Sequence, residues 1–128
     1  MKILVVEDES DLCDLIVNYL QIKKCGEILS TGKGQEAISL IEANKPDVVL
    51  LDIQLADNVD GIQVLEKSLK ISPSTKIIMM SAYKEEYAEK ALEMGATRFL
   101  RKPVQTQQII RVIDEIKGNS SVSLNPPT

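Results

Sequence analysis

Histidine is absent from this sequence of 128 residues. Without an imidazole, the chain cannot supply a histidine general base, a histidine-ligated zinc site or a phosphohistidine of its own. No run approaches the roughly 20 apolar residues that cross a bilayer, and the first residues, MKILVVEDE, are too acidic for a signal peptide. With a net charge of −4, the chain also lacks the clustered basic surface that nucleic acids require. We therefore expect a cytoplasmic protein that binds neither membrane nor nucleic acid directly.

Cysteine is scarce as well, with residues only at positions 13 and 25. A disulfide or a redox pair is one interpretation, but two buried thiols fit a cytosolic protein better. The hydrophobic fraction of 44% and the charged fraction of 27% are those of an ordinary globular protein. A chain of this length is expected to form a single domain.

Five short apolar runs alternate with longer stretches in which apolar residues recur every three or four positions. The runs are KILVV (2–6), EILS (27–30), DVVLLD (47–52), KIIMM (76–80) and RFL (98–100). Ser10 is the predicted N-cap of the first helix, and Gly95 suits the end of the fourth. The alternation predicts a (βα)5 domain with helices on both faces of a parallel sheet. The third and fourth runs resemble buried central strands, and the more polar EILS an edge strand.

Residues able to do chemistry follow four of these strands. In an open α/β sheet, ligands bind beyond the carboxyl ends of the strands. Each residue taken singly has an ordinary explanation as a helix cap, a turn residue or a solvated charge, but their shared position favours one site. They are Glu7, Asp8, Asp52, Ser81 and Lys102.

The types of these side chains indicate phosphoryl chemistry. Three carboxylates brought together repel each other, and a hard divalent cation among them relieves the repulsion. Oxygen ligands without cysteine or histidine favour Mg²⁺, which keeps several of its waters. The Lys102 ammonium and the Ser81 hydroxyl suit a phosphoryl group, whose transfer needs mainly positioning and charge stabilisation. Asp52 is the predicted acceptor.

The segments VVEDE, VVLLDIQL, MMSA and FLRKP, in this order, resemble the receiver domain of bacterial two-component response regulators of the chemotaxis-regulator type. The resemblance implies a flavodoxin-like three-layer sandwich with the parallel strand order 2-1-3-4-5. It covers residues 1–117, and residues 118–128, GNSSVSLNPPT, read as a flexible C-terminal tail or the start of a linker. It also implies a phosphorylation switch rather than an enzyme, with only Mg-dependent self-phosphorylation and slow autodephosphorylation.

The resemblance assigns a metal site to the acidic residues. Asp8 matches a direct Mg²⁺ ligand, and Glu7 matches a ligand that acts mainly through water. Asp52 matches both a ligand and the phosphoryl acceptor, and the backbone carbonyl of Gln54 completes the protein ligands. Mn²⁺ is the expected substitute for Mg²⁺.

The resemblance likewise implies a switch and its partners. Ser81 and Phe99 match the switch hydroxyl and the aromatic side chain that turns inward with it, Lys102 matches the conserved-type lysine, and Pro103 matches a proline that typically follows a cis bond. The phosphoryl donor is a sensor histidine kinase or a histidine phosphotransfer protein, which fits the absence of histidine here. A downstream effector is expected on the face of the fourth helix, fifth strand and fifth helix. A homodimer that forms on phosphorylation is an alternative partner.

Two local features concern the surface around this site. The donor is expected to dock near the first helix, around Asp11, Leu12 and Leu15. Tyr83, two residues after Ser81, is hypothesised to shield the acyl phosphate from water.

The loop after Asp52 departs from the family pattern. Ala56 stands where proline is usual, and the spacing from Asp52 to Gly61 is one residue longer than usual. Asp57 and Asp60 lie in this loop, and solvated turn acids are the favoured interpretation over metal ligands.

Three other functions compete with the receiver as interpretations of this sequence. A phosphatase of the haloacid-dehalogenase type needs a second aspartate two residues after the nucleophile, where this chain has Gln54. The segment STGKGQEA lacks the first glycine of a P-loop and reads as the turn into the second helix. A binding module that has lost phosphorylation is the third class, although the acceptor, both metal-site acids and the lysine are present.

Overall fold

A computed structural model of the protein describes residues 1–55, 57–82 and 85–118, with backbone alone at positions 85 and 86. Strands and helices alternate along the whole of this part of the chain. The strands are β1 (Lys2–Val6), β2 (Glu27–Thr31), β3 (Val48–Asp52), β4 (Lys76–Ser81) and β5 (Arg98–Arg101). The helices are α1 (Ser10–Ile22), α2 (Gly34–Asn44), α3 (Gly61–Ile71), α4 (Glu85–Met94) and α5 (Thr106–Ile116).

The strands form one parallel sheet in the order β2-β1-β3-β4-β5, so the predicted strand order is confirmed. All five residues of β3 are buried, and every residue of β4 after Lys76 is buried too. The β2 strand is at an edge, as its polarity predicted. Burial on both faces explains why β3 and β4 are continuous apolar runs without polar alternation.

Alternate residues of each central strand pack against different helices, because successive side chains of a strand point to opposite faces. The α1/α5 cluster contains Ile3, Val5, Cys13, Ile16, Leu20, Cys25, Val48, Leu50, Ile78, Met80, Ile109, Val112 and Ile113. The α2–α4 cluster contains Leu4, Val6, Ala37, Ile41, Val49, Leu51, Ile53, Val64, Leu65, Ile77, Met79, Ala91 and Ala96. Truncating one fully buried leucine to alanine in such a core costs about 2–5 kcal/mol. This packing fixes the strand ends that carry the polar residues.

The start of α1 differs from the prediction. Its N-cap is Glu9, without a side-chain cap, and Ser10 is already the first helical residue. The Glu9 amide donates to Glu7 Oε2 at 3.1 Å, and the Glu9 carbonyl accepts from Cys13 N at 2.9 Å. These two contacts set the helix start one residue earlier than a serine cap would, so the prediction for Ser10 is wrong.

The other strand and helix boundaries lie close to the predicted ones. The β3 strand begins at Val48, one residue later than the predicted run, and the Asp47 side chain accepts from the Lys2 amide at 2.7 Å. Gly95 follows α4 with a φ of +121°, which fits its predicted place at the helix end. Within the described ranges, no helix has the length and apolar character that a bilayer span requires.

Candidate functional site

The carboxyl ends of β1, β3, β4 and β5 surround one cleft of about 210 Å³. Every side chain that the sequence placed at these strand ends lies on its wall. The lining residues are Glu7, Asp8, Glu9, Asp52, Gln54, Ser81, Ala82 and Lys102. Asp52 and Ser81 are the last residues of their strands, so the buried sheet holds both of them rigidly.

Lys102 joins two acids in this cleft. Its Nζ lies 2.7 Å from Glu7 Oε1 and 3.1 Å from Asp52 Oδ2. The Glu7 and Asp52 residues are 2% and 5% exposed, whereas the lysine side chain keeps partial access to solvent. One partly exposed cation therefore balances two buried carboxylates that reach the cleft from different strands.

Burial and pairing act on these groups in opposite directions. Burial raises the pKa of Glu7, the hydrogen bond from Lys102 lowers it, and the charge of Asp52 raises it again, so the net change is upward. Burial lowers the pKa of Lys102, but its hydrogen bonds to Glu7 and Asp52 outweigh that effect and leave the pKa raised. The lysine is therefore held as a cation, and the Glu7 carboxylate carries an unfavourable charge.

The acids also form a cluster suited to a metal ion. One carboxylate oxygen each from Glu7, Asp8 and Asp52 lies within 4.8 Å of the other two. Asp8 is exposed, so this side of the cluster is open to water. The ligand atoms on offer are all hard oxygens, and a partly hydrated Mg²⁺ takes such a set. The residues present therefore fit a divalent cation of this class.

The remaining residues predicted for the site occupy three different positions. Ser81 is buried, at 1% exposure, and its carbonyl accepts from the Lys102 amide at 2.9 Å. Phe99 pairs with Met79 in the sheet and packs half-buried against the α2–α4 cluster, away from the cleft walls. The peptide bond between Lys102 and Pro103 is cis.

The acids of the loop after β3 do not join the cluster. The Asp57 carboxylate accepts from the amides of Gly34 and Gln35, at the start of α2. Asp60 is the N-cap of α3 and forms a capping box with Gln63, with both bonds at 2.9 Å. Neither acid belongs to the metal-site cluster, and both accept hydrogen bonds from backbone amides.

The role of Asp57 is the main feature that the sequence did not reveal. The Gly34 amide donates to its Oδ1 at 2.8 Å, and the Gln35 amide to its Oδ2 at 3.0 Å. The one hint in the sequence is the extra residue between Asp52 and Gly61, because a longer loop can reach a neighbouring element. The partner itself lies 23 positions earlier and has no local sequence mark.

The remaining predictions concern the α1 surface, the two cysteines and two residues that the structure does not describe. Leu15 is 57% exposed on α1, where donor docking was expected. Cys13 and Cys25 are buried free thiols, as predicted, and burial is the first cause of the raised pKa of each. Ala56 and Tyr83 lie outside the described residues.

Comparison with known proteins decides the family. The model of the response regulator receiver domain matches residues 3–114. The chain belongs to this family. It is thus a receiver domain of the kind that response regulators use in two-component systems, where they act with histidine kinases and effectors.

Individual relatives agree with this assignment. YesN, an uncharacterized transcriptional regulatory protein of Bacillus subtilis (strain 168), is 32% identical over 118 residues, which make up 90% of this chain and 32% of YesN. The receiver domain of NtrX from Brucella abortus is 31% identical, with a TM-score of 0.82 over 89% of this chain and 96% of that one. A CheY-like receiver protein from Methanospirillum hungatei JF-1 is 28% identical, with a TM-score of 0.81 over 92% and 97%. The receiver domain therefore has the predicted flavodoxin-like fold.

Proposed function

We propose that this receiver domain accepts a phosphoryl group on Asp52 and changes conformation in response. The observation that carries the proposal is the position of Asp52, buried at the end of the central strand with Lys102 Nζ 3.1 Å from its carboxylate. A buried acid beside a cation that solvent can still reach is suited to chemistry at its oxygens. The donor is the phosphohistidine of a sensor histidine kinase or of a histidine phosphotransfer protein.

Glu7, Asp8 and Asp52 hold Mg²⁺ in this proposal, with the Gln54 carbonyl as a further ligand and Mn²⁺ as a substitute. Support comes from the three carboxylate oxygens within 4.8 Å of one another and from the open side at Asp8. When bound, the metal offsets negative charge on the phosphoryl oxygens. Such a cation would also relieve the cost of the buried Glu7 charge, which the raised pKa of Glu7 indicates.

The chain's own residues position the acceptor and balance charge. One carboxylate oxygen of Asp52 attacks phosphorus, so an oxygen–phosphorus bond forms while the bond between phosphorus and the partner's imidazole nitrogen breaks. Lys102 stays beside the Asp52 oxygens and offsets the charge that the phosphoryl group brings. Gln54 stands where a phosphatase of this chemistry needs an acid for proton transfer, so the adduct persists instead of turning over.

Phosphorylation then acts as a switch. The Ser81 hydroxyl and Lys102 contact the phosphoryl group mainly in the active state, which shifts an existing equilibrium toward that state. Phe99 is half-buried on the edge strand β5 and turns inward in this proposal as the serine moves. The face of α4, β5 and α5 presents the change to a downstream effector or, on phosphorylation, to a second copy of the domain.

The wider setting is part of the same proposal. Residues 1–117 form the receiver domain in this proposal, and residues 118–128, of which 119–128 lie outside the described residues, are the tail or the start of a linker. The domain works in the cytoplasm and does not itself bind nucleic acid or membrane. Its donor docks beside α1, where Leu15 is an exposed apolar residue.

Incubation with Mg²⁺ and a small phosphodonor, followed by intact-mass spectrometry, tests the proposal. The wild-type chain is expected to gain one phosphoryl group, and Asp52→Asn is expected to fold but gain none. Glu66→Gln, on the exposed surface of α3, is the matched control and should be phosphorylated normally. Uptake by Asp52→Asn would overturn the assignment, repeated turnover would support a phosphatase, and no wild-type adduct would support a binding module.

A further inference from the structure

The turn between β2 and α2, residues 31–34, contacts both loops that carry the proposed metal ligands. On one side, the Glu7 amide donates to the Thr31 carbonyl at 3.0 Å. A Cβ added at Gly32 would lie only 3.2 Å from the Cα of Asp8. The backbone of this turn therefore supports the Glu7–Asp8 loop closely, with little space for either to shift.

The same turn supports the loop after β3 on its other side. A Cβ at Gly34 would overlap the Val59 carbonyl oxygen, so only glycine permits this approach of the two backbones. Asp57 reinforces the contact, with Oδ1 2.8 Å from the Gly34 amide and Oδ2 3.0 Å from the Gln35 amide. The carboxylate thus uses both oxygens to attach its loop to α2.

The α2 helix needs this outside acid for its own start. Its N-cap is Lys33, whose side chain makes no cap hydrogen bond. The first amides of a helix lack partners within the helix, and a negative charge near them is favourable. Asp57 supplies both the acceptor for these amides and the negative charge, so the contact is favourable. The hydrogen bonds from Gln35 and Gly34 lower the pKa of its carboxyl group.

Gln54 lies three residues before Asp57 in the loop that this contact fixes. The near end of the loop has three bonds: the Ile53 amide lies 3.3 Å from the Met80 carbonyl, the Gln54 amide lies 3.4 Å from Asp52 Oδ1, and the Gly61 amide donates to the Ile53 carbonyl at 2.7 Å. Beyond Gln54, Leu55 packs partly buried against the α2–α4 cluster, and Asp57 then joins the loop to α2 by hydrogen bonds. The far side of the Gln54 segment is therefore held in part by the turn that also supports Asp8.

We infer that Asp57 is a positioning residue for the metal site: by binding the start of α2, it holds the Gln54 loop against the same turn that supports Asp8. The inference rests on the proposed function, in which Gln54 and Asp8 are Mg²⁺ ligands. Groups that hold metal ligands in place typically change metal affinity about 10- to 100-fold when they are removed. Asp57 acts through a loop, so the low end of that range is expected.

The test is a calorimetric Mg²⁺ titration of the full chain without any phosphodonor. Asp57→Ala is expected to bind Mg²⁺ about tenfold more weakly than the wild type. Asp57→Asn keeps one oxygen acceptor but loses the charge, so its affinity is expected to lie between the two. Circular dichroism establishes that each variant is folded.

Lys45→Ala is the matched control. Its Nζ donates to the Ile71 carbonyl at 2.6 Å and so joins α2 to α3 at their other ends, remote from the cleft. Removing it loosens the same helix pair without touching either loop, so its Mg²⁺ dissociation constant is expected to stay within about twofold of the wild-type value. Equal weakening by both variants would mean that general loss of stability is the cause, and would overturn the inference.

The outcomes separate this inference from the proposed function. An Asp57→Ala dissociation constant close to the wild-type value would overturn the positioning role, even if Asp52 is phosphorylated. Weaker Mg²⁺ binding in that variant, with no phosphoryl uptake by the wild type, would support positioning and count against the phosphoacceptor. A wild-type chain that binds no Mg²⁺ would overturn both.

Discussion

Two groups of acids lie at the carboxyl edge of this sheet, and their surroundings differ. Glu7 and Asp52 are buried and share one cation, Lys102, whose side chain is partly open to solvent. Asp57 and Asp60 lie in the loop after β3 and bind backbone amides at the starts of α2 and α3. A lysine can leave its acids and turn toward an incoming group, whereas helix amides stay where the backbone holds them.

This contrast shows that position at the edge does not decide the role of an acid. The cleft acids have a raised pKa at Glu7 and oxygens close enough to share a metal. The pKa of Asp57 is lowered by the amides of Gln35 and Gly34, and its charge is already compensated. The cleft acids suit the proposed phosphoryl chemistry. The loop acids instead attach the loop after β3 to the starts of α2 and α3.

The strongest test of the contrast is Lys102→Ala. Without the ammonium, Glu7 and Asp52 face each other with no cation, so the unfolding free energy in EDTA is expected to fall by about 1–3 kcal/mol. Phosphoryl uptake is expected to slow by about 100-fold, as for loss of one fixed charge at a reacting centre. Urea unfolding and intact-mass time courses measure the two effects.

Added Mg²⁺ sharpens the same experiment, because a second cation can replace the lysine's charge. The stability lost in Lys102→Ala is expected to return in large part when Mg²⁺ is present. Lys67→Ala, an exposed lysine on α3, serves as control and should change neither quantity. A Lys102 variant as stable as the control in EDTA would show that the cleft acids do not depend on their cation.

Glu7→Gln tests whether burial makes the cleft acid costly. The folded pKa of Glu7 lies above its ordinary value of 4.5, so the unfolded chain loses this proton first as the pH rises. The contribution of Glu7 to the unfolding free energy of the wild type therefore falls across the window from about 4.5 to the raised pKa. Glutamine does not titrate, so the stability of the variant relative to wild type is expected to increase through that window.

Urea unfolding over a pH series in EDTA measures this difference, with Asp52, Asp8 and Lys102 unchanged in both proteins. Mg²⁺ affinity is expected to fall about 10- to 100-fold in the same variant, since one acid of the cluster is neutralised. A relative stability that declines with pH would contradict the assignment of an unfavourable buried charge to Glu7.

Asp60→Ala is expected to have the smallest effect and concerns the other group of acids. It removes the capping box at the start of α3, which costs about 1 kcal/mol of unfolding free energy. Because Asp60 binds Gln63 of its own helix, phosphoryl uptake is expected to stay near the wild-type rate. A large loss of uptake in a folded Asp60→Ala protein would remove the distinction between the two groups of acids.

Much of the site could be predicted because the pattern that carries it is local. The buried run that ends at Asp52 identifies β3, and parallel strands bring their carboxyl ends to one edge. Glu7, Asp8, Ser81 and Lys102 follow from the ends of the other strands in the same way, and all of them line the cleft. The error at Ser10 arose from a contact that propensity does not include, the bond from the Glu9 amide to the Glu7 carboxylate.

The sequence by itself determined the layered parallel sheet, the burial of β3 and β4 and the edge at which the acids collect. These features depend on hydrophobic periodicity and strand ends, which are patterns of neighbouring residues. Only the tertiary structure decided which acids share Lys102 and which bind helix amides. Asp57 and the start of α2 are 22–23 positions apart, and Lys102 and Glu7 are 95 apart. Such pairs depend on how loops from different strands pack together, and no local pattern encodes that distance.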